Sequence, residues 1–250
     1  KAIGIEDANL SVFIDEAVEE TLSIDSALMP TTSEDCKILV DAEVISSLLA
    51  KVTSQLSAWN EYEKSPFLAQ GENVVKGTKG ADSDKLDMTL DPTSPVMALS
   101  TPYTDEGMKP ARAQVIKDDV VSTQLVHHKI GQYLGRAPNY VQGNMLVRPG
   151  KRTREELLGQ VPECIEVLSF SSLLINPNTL TWSSEIKLGR RYKHGKFDCM
   201  IKGGVLSGNI KENLADFQFD REETRVNETA GGFSPARGYI GPRHMLIKAG

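Results

Sequence analysis

The chain has 250 residues, which allows one large domain or one domain with a piece of another, and 40% hydrophobic residues, enough for a proper core. A net charge of −6 argues against nucleic acid as the main ligand, because phosphate binding draws on dense Lys and Arg. No stretch approaches the ~20 apolar residues of a bilayer span. The scattered Cys36, Cys164 and Cys199 make neither a disulfide framework nor a zinc knuckle, so a reducing, cytoplasmic setting is expected.

In chain order, the first expected element is a helix over 7–28. Leu10, Phe13, Ile14, Ala17, Val18 and Leu22 repeat at helical spacing, with acids opposite, and Met29-Pro30-Thr31-Thr32 ends it. Lys37 to Val40 reads as a strand. Asp41 caps a second helix, on which Val44, Ile45, Leu48, Leu49, Val52 and Leu56 form one stripe. From 57 to 84 the pattern loosens into a long loop or irregular hairpin. Asp87 to Leu90 is a strand, followed by turns at 91–95 and 104–107. Ala113 to Ile116 and Val120 to Val126 are strands about a turn at Lys117-Asp118-Asp119. Lys129 to Leu134 is a short helix stopped by Gly135.

Beyond Leu146, alternation dominates. Thr153 caps a helix over 155–158. Strands follow at 163–172, 179–188 and 192–202, with a reverse turn at His194-Gly195, and 211–219 is partly helical. The segment 221–238, with Arg225, Asn227, Gly231, Gly232, Pro235 and Gly238, reads as a loop, and the final stretch as a strand. Few helices among many adjacent strands give an α+β class: a large curved antiparallel sheet with a few helices packed on one side.

Five segments in order resemble the C-terminal domain of the TldD/PmbA family, formerly called modulators of DNA gyrase. They are Lys37-Ile38-Leu39-Val40-Asp41 with its helix, Tyr103-Thr104-Asp105-Glu106-Gly107, Leu146 to Gly150 with the helix after it, Gly203 to Ile210, and Gly241 to Gly250. The resemblance spans 35–250. It implies that 1–34 is the last helix and linker of an otherwise absent N-terminal domain, and the chain, opening on Lys1, is expected to be a fragment or a shortened member.

The TldD branch carries His-Glu-x-x-x-His on the helix that opens this domain, two zinc ligands and a Glu that acts on metal-bound water. Set after Leu48-Leu49, that motif falls on Ala50, Lys51 and Gln55, none of which has the chemistry. The resemblance is therefore to the PmbA/TldE branch, the partner without metal. It implies no cofactor in this chain and zinc only in a TldD-like partner. The partner is such a catalytic subunit or a second copy, and the substrate an unfolded peptide, with neither nucleic acid nor membrane involved. Two alternatives are a self-sufficient metallopeptidase with ligands outside this segment and a gyrase-modulating adapter.

Other constellations read two ways. Asp105 and Glu106 suit a cation or peptide amine, or a solvated turn in which Gly107 takes positive φ. Arg190, Arg191 and Lys193, with Lys187, His194 and Lys196, suit a peptide carboxylate or acidic partner, or a solvated hairpin tip. Arg148, Lys151, Arg152 and Arg154 form a second basic cluster at a helix start. His127 and His128 are adjacent, so they point apart and cannot share one metal. His194 and His244 have no acid or thiol at ligand spacing. Cys164 and Cys199 follow acids that raise a thiol pKa, which makes both inert.

Overall fold

A computed structural model describes residues 10–30, 36–139, 143–228 and 236–248. Residues 7–9, Thr31, Thr32, Gly231, Gly232 and Pro235, and the side chain of Phe13, lie outside what is described. The fold is α+β, built on two sheets that share one core.

The first sheet grows around β1 (Lys37–Asp41), where Ile38 and Val40 face one way and Leu39 the other, as a strand's period of two dictates. Along one edge β1 pairs antiparallel with β14 (His244–Lys248), which pairs with β11 (Phe217–Phe219). Along the other it pairs parallel with β6 (Glu163–Phe170), and β6 pairs antiparallel with the long β8 (Thr181–Lys193). β7 (Leu174–Ile175), β9 (Lys196–Ile201) and β10 (Val205–Asn209) all add to β8. The second sheet runs β12 (Glu223–Glu228), β13 (Arg237–Pro242), β5 (Asn144–Val147), β2 (Met88–Asp91), β3 (Ala113–Lys117), β4 (Val120–Val121). Its β13–β5 pair is parallel. The sheets are thus mainly antiparallel, with one parallel joint in each.

Helix α2 (Ala42–Gln55) starts where expected, because the Asp41 carboxylate accepts the Val44 N–H at 3.0 Å. Ile45, Leu48, Leu49 and Val52, with Leu56 just beyond, are buried in the core that also holds Ile38, Val40, Met88, Met145, Phe217 and Tyr239. Phe217 and Phe219 meet edge to face at 4.8 Å, a favoured aromatic geometry. On the other face of β1, Leu39 and Leu246 are covered by Leu157 and Leu158 of α5 (Arg154–Gly159), so the helices occupy both faces of this sheet. Helix α5 begins with a full capping box: Glu156 N–H donates to the Thr153 hydroxyl, and Thr153 N–H donates to the Glu156 carboxylate.

Two short helices, α3 (Ala58–Tyr62) and α4 (His128–Leu134), share a small core of Ala58, Val126 and Ile130. The loosened stretch after Ser57 is therefore irregular apart from α3. Gly135 ends α4 at φ +65°, a left-handed cap that a side chain rarely adopts. α6 (Ile210–Asn213) precedes β11.

The outcome for α1 (Leu10–Ser26) differs from the apolar stripe. Leu10, Ile14, Val18 and Leu22 are 52–73% exposed. The helix is anchored at its C-terminal end: Leu28 N–H donates to Met200 C=O, Lys202 N–H to Leu28 C=O, and Lys202 Nζ to Ile24 C=O. β12 stands at 223–228, within the segment whose composition suggests a loop. In Glu-Thr-Arg-Val-Asn-Glu only Val226 is buried, so the alternation that marks a half-buried strand is nearly silent. β4 stops at Val121 rather than Val126, and β8 runs on unbroken through Gly189 to Lys193.

The capping box gives a test of the second face. Thr153→Ala should cost about 1 kcal/mol and lower Tm by about 2–4 °C. Thermal unfolding by circular dichroism checks it, and an unchanged Tm would mean that α5 is held by Leu157 and Leu158 alone.

Candidate functional site

Helix α2 presents Ala50, Thr53 and Ser54 to a groove of about 220 Å³. Leu90, Leu99, Leu125 and Met145 give it apolar walls, and Arg237 and Gly238 of β13 close one side. Of the three motif positions, only Ala50 lines this groove. Gln55 is five residues on, about 140° round the helix. It is buried, donating Nε2 to the carbonyls of Pro177 at 2.7 Å and Asn178 at 3.1 Å. Lys51 is half-buried on the flank. The placed motif thus occupies more than one face of α2, and Thr53 and Ser54, one turn on from Ala50, line the groove with hydroxyls that donate to the Leu49 and Lys51 carbonyls.

Arg237 is locked rather than mobile. Its guanidinium donates to the Glu228 carboxylate at 2.8 Å and to two acceptors on α2, the Glu43 backbone C=O and the Ser47 side-chain hydroxyl, which ties β13 to the start of α2.

A second hollow of about 180 Å³ adjoins the groove across Leu99. Its lining includes Ser100, Thr101, Thr104, Asp105, Glu106 and His127. Gly107 N–H donates to Thr104 C=O at 2.9 Å and Gly107 sits at φ +72°, so 104–107 is the expected tight turn. Glu106 accepts the His128 N–H at 2.8 Å at the start of α4, a favourable place for an acid. Its carboxylate stands 4.0 Å from the His127 ring. Asp105 is exposed at the hollow's rim.

The wall between the two hollows is pinned by two carboxamides. Asn144, fully buried, accepts the Leu99 N–H at 3.0 Å and donates to Asp91 C=O at 2.8 Å and to the Ser100 hydroxyl. Asn227 of β12 accepts the Ala98 N–H at 2.6 Å and donates to Val96 C=O. Gly238 lies so close to the Asn144 carboxamide that any side chain there would collide with it.

The basic hairpin does not gather its charges. Arg191 bonds Asp198 at 2.7 Å and Lys193 reaches the same carboxylate at 3.3 Å. Arg190 lies on the opposite face of β8, 3.6 Å from Glu166. The second basic cluster is similarly dispersed: Arg148 pairs with Asp87 and Arg154 with Glu166. His127 and His128 diverge, the latter's ring meeting Gln132. Cys36 and Cys164 are buried, and burial pushes the Cys36 thiol up to about 11, with Glu163 adding to the effect. They flank β1 on opposite faces, one in each core.

Sequence reasoning missed Leu99, Met145, Asn144, Asn227 and Arg237. Both asparagines sit in strands, where Asn is uncommon, and that is the only local signal they give; Asn144 is fully buried and Asn227 half-buried.

Residues 33–247 match the family model described as the PmbA/TldA metallopeptidase C-terminal domain. A protein of Archaeoglobus fulgidus named metalloprotease is 24% identical over 221 residues, covering 83% of this chain and 50% of that one. TldE from Thermococcus kodakarensis has a TM-score of 0.77 at 15% identity, covering 97% of this chain and 55% of TldE. A Thermotoga maritima protein described as a modulator of a DNA gyrase has a TM-score of 0.72 at 21% identity, over 99% and 56% of the two chains. These structural likenesses carry the fold, and the chain spans about half the length of the relatives it matches.

Asp91 anchors the wall and gives it a pH signature. Burial alone would raise its carboxyl, but hydrogen bonds from Thr93 N–H, the Thr93 hydroxyl and the Ser94 hydroxyl outweigh that and hold it below the ordinary range. Its stabilising effect is therefore complete above the unfolded pKa and is lost as pH falls through the lower, folded pKa. Asp91→Asn should be less stable than wild type at neutral pH and lose less further stability between about pH 5 and pH 2. Urea midpoints across that range check it, and equal acid slopes in the two chains would contradict the assignment.

With a family model matching 33–247 and the two-sheet fold shared with TldE, the chain belongs to the PmbA/TldA metallopeptidase family, as a copy of its C-terminal domain.

Proposed function

We propose that this chain is the metal-free, TldE-like member of a peptidase assembly, and that its α2 groove forms one wall of a cavity holding an unfolded peptide. The observation that carries the reading is Ala50: a methyl group lines the groove where the family's motif would set its first zinc ligand. Thr53 and Ser54 beside it supply hydroxyls, which hydrogen-bond but do not replace imidazole as zinc donors. Among the described residues no three His, Cys, Asp or Glu side chains converge as a metal site.

In this reading zinc belongs to a TldD-like partner, or the cavity is completed by a second copy. The working compartment is the cytoplasm, and no helix of the described residues is long and apolar enough to cross a membrane. The groove suits backbone and small apolar side chains. Its walls are leucines and a methionine, with Arg237 at one side and the Asp105-Glu106 turn beyond Leu99. An extended peptide laid along such a wall is held with little sequence preference, since main-chain groups supply most of the bonds.

The reading predicts two results. Purified, tag-free chain should hold less than about a tenth of an equivalent of zinc, iron or manganese by mass spectrometry. It should also leave an unfolded peptide uncut until a zinc-bearing TldD-like chain is added, where Ala50→Trp should then reduce turnover about tenfold or more by filling the groove. A full equivalent of metal, or chelator-sensitive cleavage by the chain alone, would overturn it in favour of a self-sufficient metallopeptidase.

A further inference from the structure

Strands β2 and β3 are antiparallel neighbours, a pair that about 2–5 residues can join. The chain joins them instead with residues 92–112, a stretch that holds neither helix nor strand. In a compact fold, connections of such length are mostly lids or binding loops. This one borders both hollows beside α2. Ala98 to Thr101 line the hollow at the Asp105-Glu106 turn, and Leu99 lines the α2 groove as well.

The first lobe of the connection, 92–101, is closed on itself. Thr101 N–H donates to Pro92 C=O at 3.0 Å, Ser100 N–H to Met97 C=O at 3.1 Å, and the Ser100 hydroxyl to Ser94 C=O. With its ends clasped, the lobe can swing as one body about Pro92 and Thr101. Its apolar anchor, Met97, is buried but belongs to none of the three apolar clusters of the described residues, so lifting it leaves the core intact.

Two carboxamides of the second sheet hold the lobe down. Asn227 accepts the Ala98 N–H at 2.6 Å and donates to Val96 C=O at 2.9 Å. Asn144 accepts the Leu99 N–H and donates to the Ser100 hydroxyl, both at 3.0 Å. Against these bonds stands Val96, at φ +59°. The turn at Pro95-Val96 puts a β-branched residue where glycine or asparagine is usual. Its side chain is 58% exposed, so little packing offsets the strain. Strain kept in place by side-chain bonds from elsewhere in the fold is the makeup of a segment that can switch.

We propose that the lobe 92–101 is a lid with two positions. Seated, it separates the α2 groove from the hollow at the Asp105-Glu106 turn. Lifted, it relieves Val96 and joins the two into one channel running from Ala50 to Glu106. The inference does not rest on what the groove binds, and it is read on the chain alone.

The test is amide hydrogen exchange of the whole chain, followed residue by residue by NMR, with each rate corrected for its intrinsic value. Because one motion exposes both, the Ala98 and Leu99 amides should exchange at matching rates, at least about tenfold faster than amides paired between β2 and β5. Protection equal to that of β2 and β5 would mean that no lid opens. Asn227→Ala removes the acceptor of Ala98 and leaves that of Leu99 in place. If the lobe moves as one body, both amides should speed up about tenfold while those of β2 and β5 stay as they were. A change confined to Ala98 would make the loop a fixed wall and overturn the proposal. Val96→Gly loses no side-chain hydrogen bond and takes φ +59° without strain. It should slow both amides about threefold or more, and unchanged or faster exchange in this variant would equally overturn the proposal.

Discussion

Strand β1 has neither a free edge nor a free face. β14 and β6 take its edges, Ile38 and Val40 face the large core, and Leu39 lies under α5. Buried on both sides, it reads as a continuous apolar run, Ile38-Leu39-Val40, which is why it was recognisable. Its last residue, Asp41, is at once the end of the strand, the cap of α2 and a wall of a polar hollow beneath α1. Moving β1 by one residue would exchange its faces and carry α2 and its groove with it. The α2 groove and the polar hollow beneath α1 therefore share one support and stand back to back across it.

The parallel joints explain how the groove is assembled. A parallel β1–β6 pair needs a long crossover between its strands, and the crossover here is the stretch that holds α2 and most of the second sheet. The second sheet is then brought against α2 from the far side by β12 and β13, which arrive from a later part of the chain. Arg237 ties the two together. The groove is thus made of residues from positions 50 to 238, and no short window of sequence contains it.

What was legible locally follows from local physics. Asp41, Thr153, Gly107 and Gly135 each satisfy a requirement set within a few residues, a cap or a positive φ, and each is found as read. β12 and β5 were not legible. One buries a single valine, and the other is four residues between Gly143 and Arg148 whose burial comes from both sheets. The basic hairpin misled for a different reason. Consecutive strand residues point to opposite faces, so Arg190 and Arg191 are neighbours in sequence but meet Glu166 and Asp198 on separate surfaces. On α2, Ala50 lines the groove while Gln55 is buried against the carbonyls of Pro177 and Asn178, because five residues along a helix turn a side chain about 140° away.

The position of β14 has a consequence for synthesis. This strand sits between β1 and β11 inside the first sheet, and Lys37 is paired with Lys248, some two hundred residues later. A chain emerging from the ribosome therefore carries β1 with one hydrogen-bonding edge open until β14 has left the exit tunnel. Contacts of such sequence separation are slow to close, and an unpaired strand with the apolar run Ile38-Leu39-Val40 invites pairing with other chains in the interval. Folding yield in cells should then depend on chaperone supply during elongation more than on the stability of the finished fold.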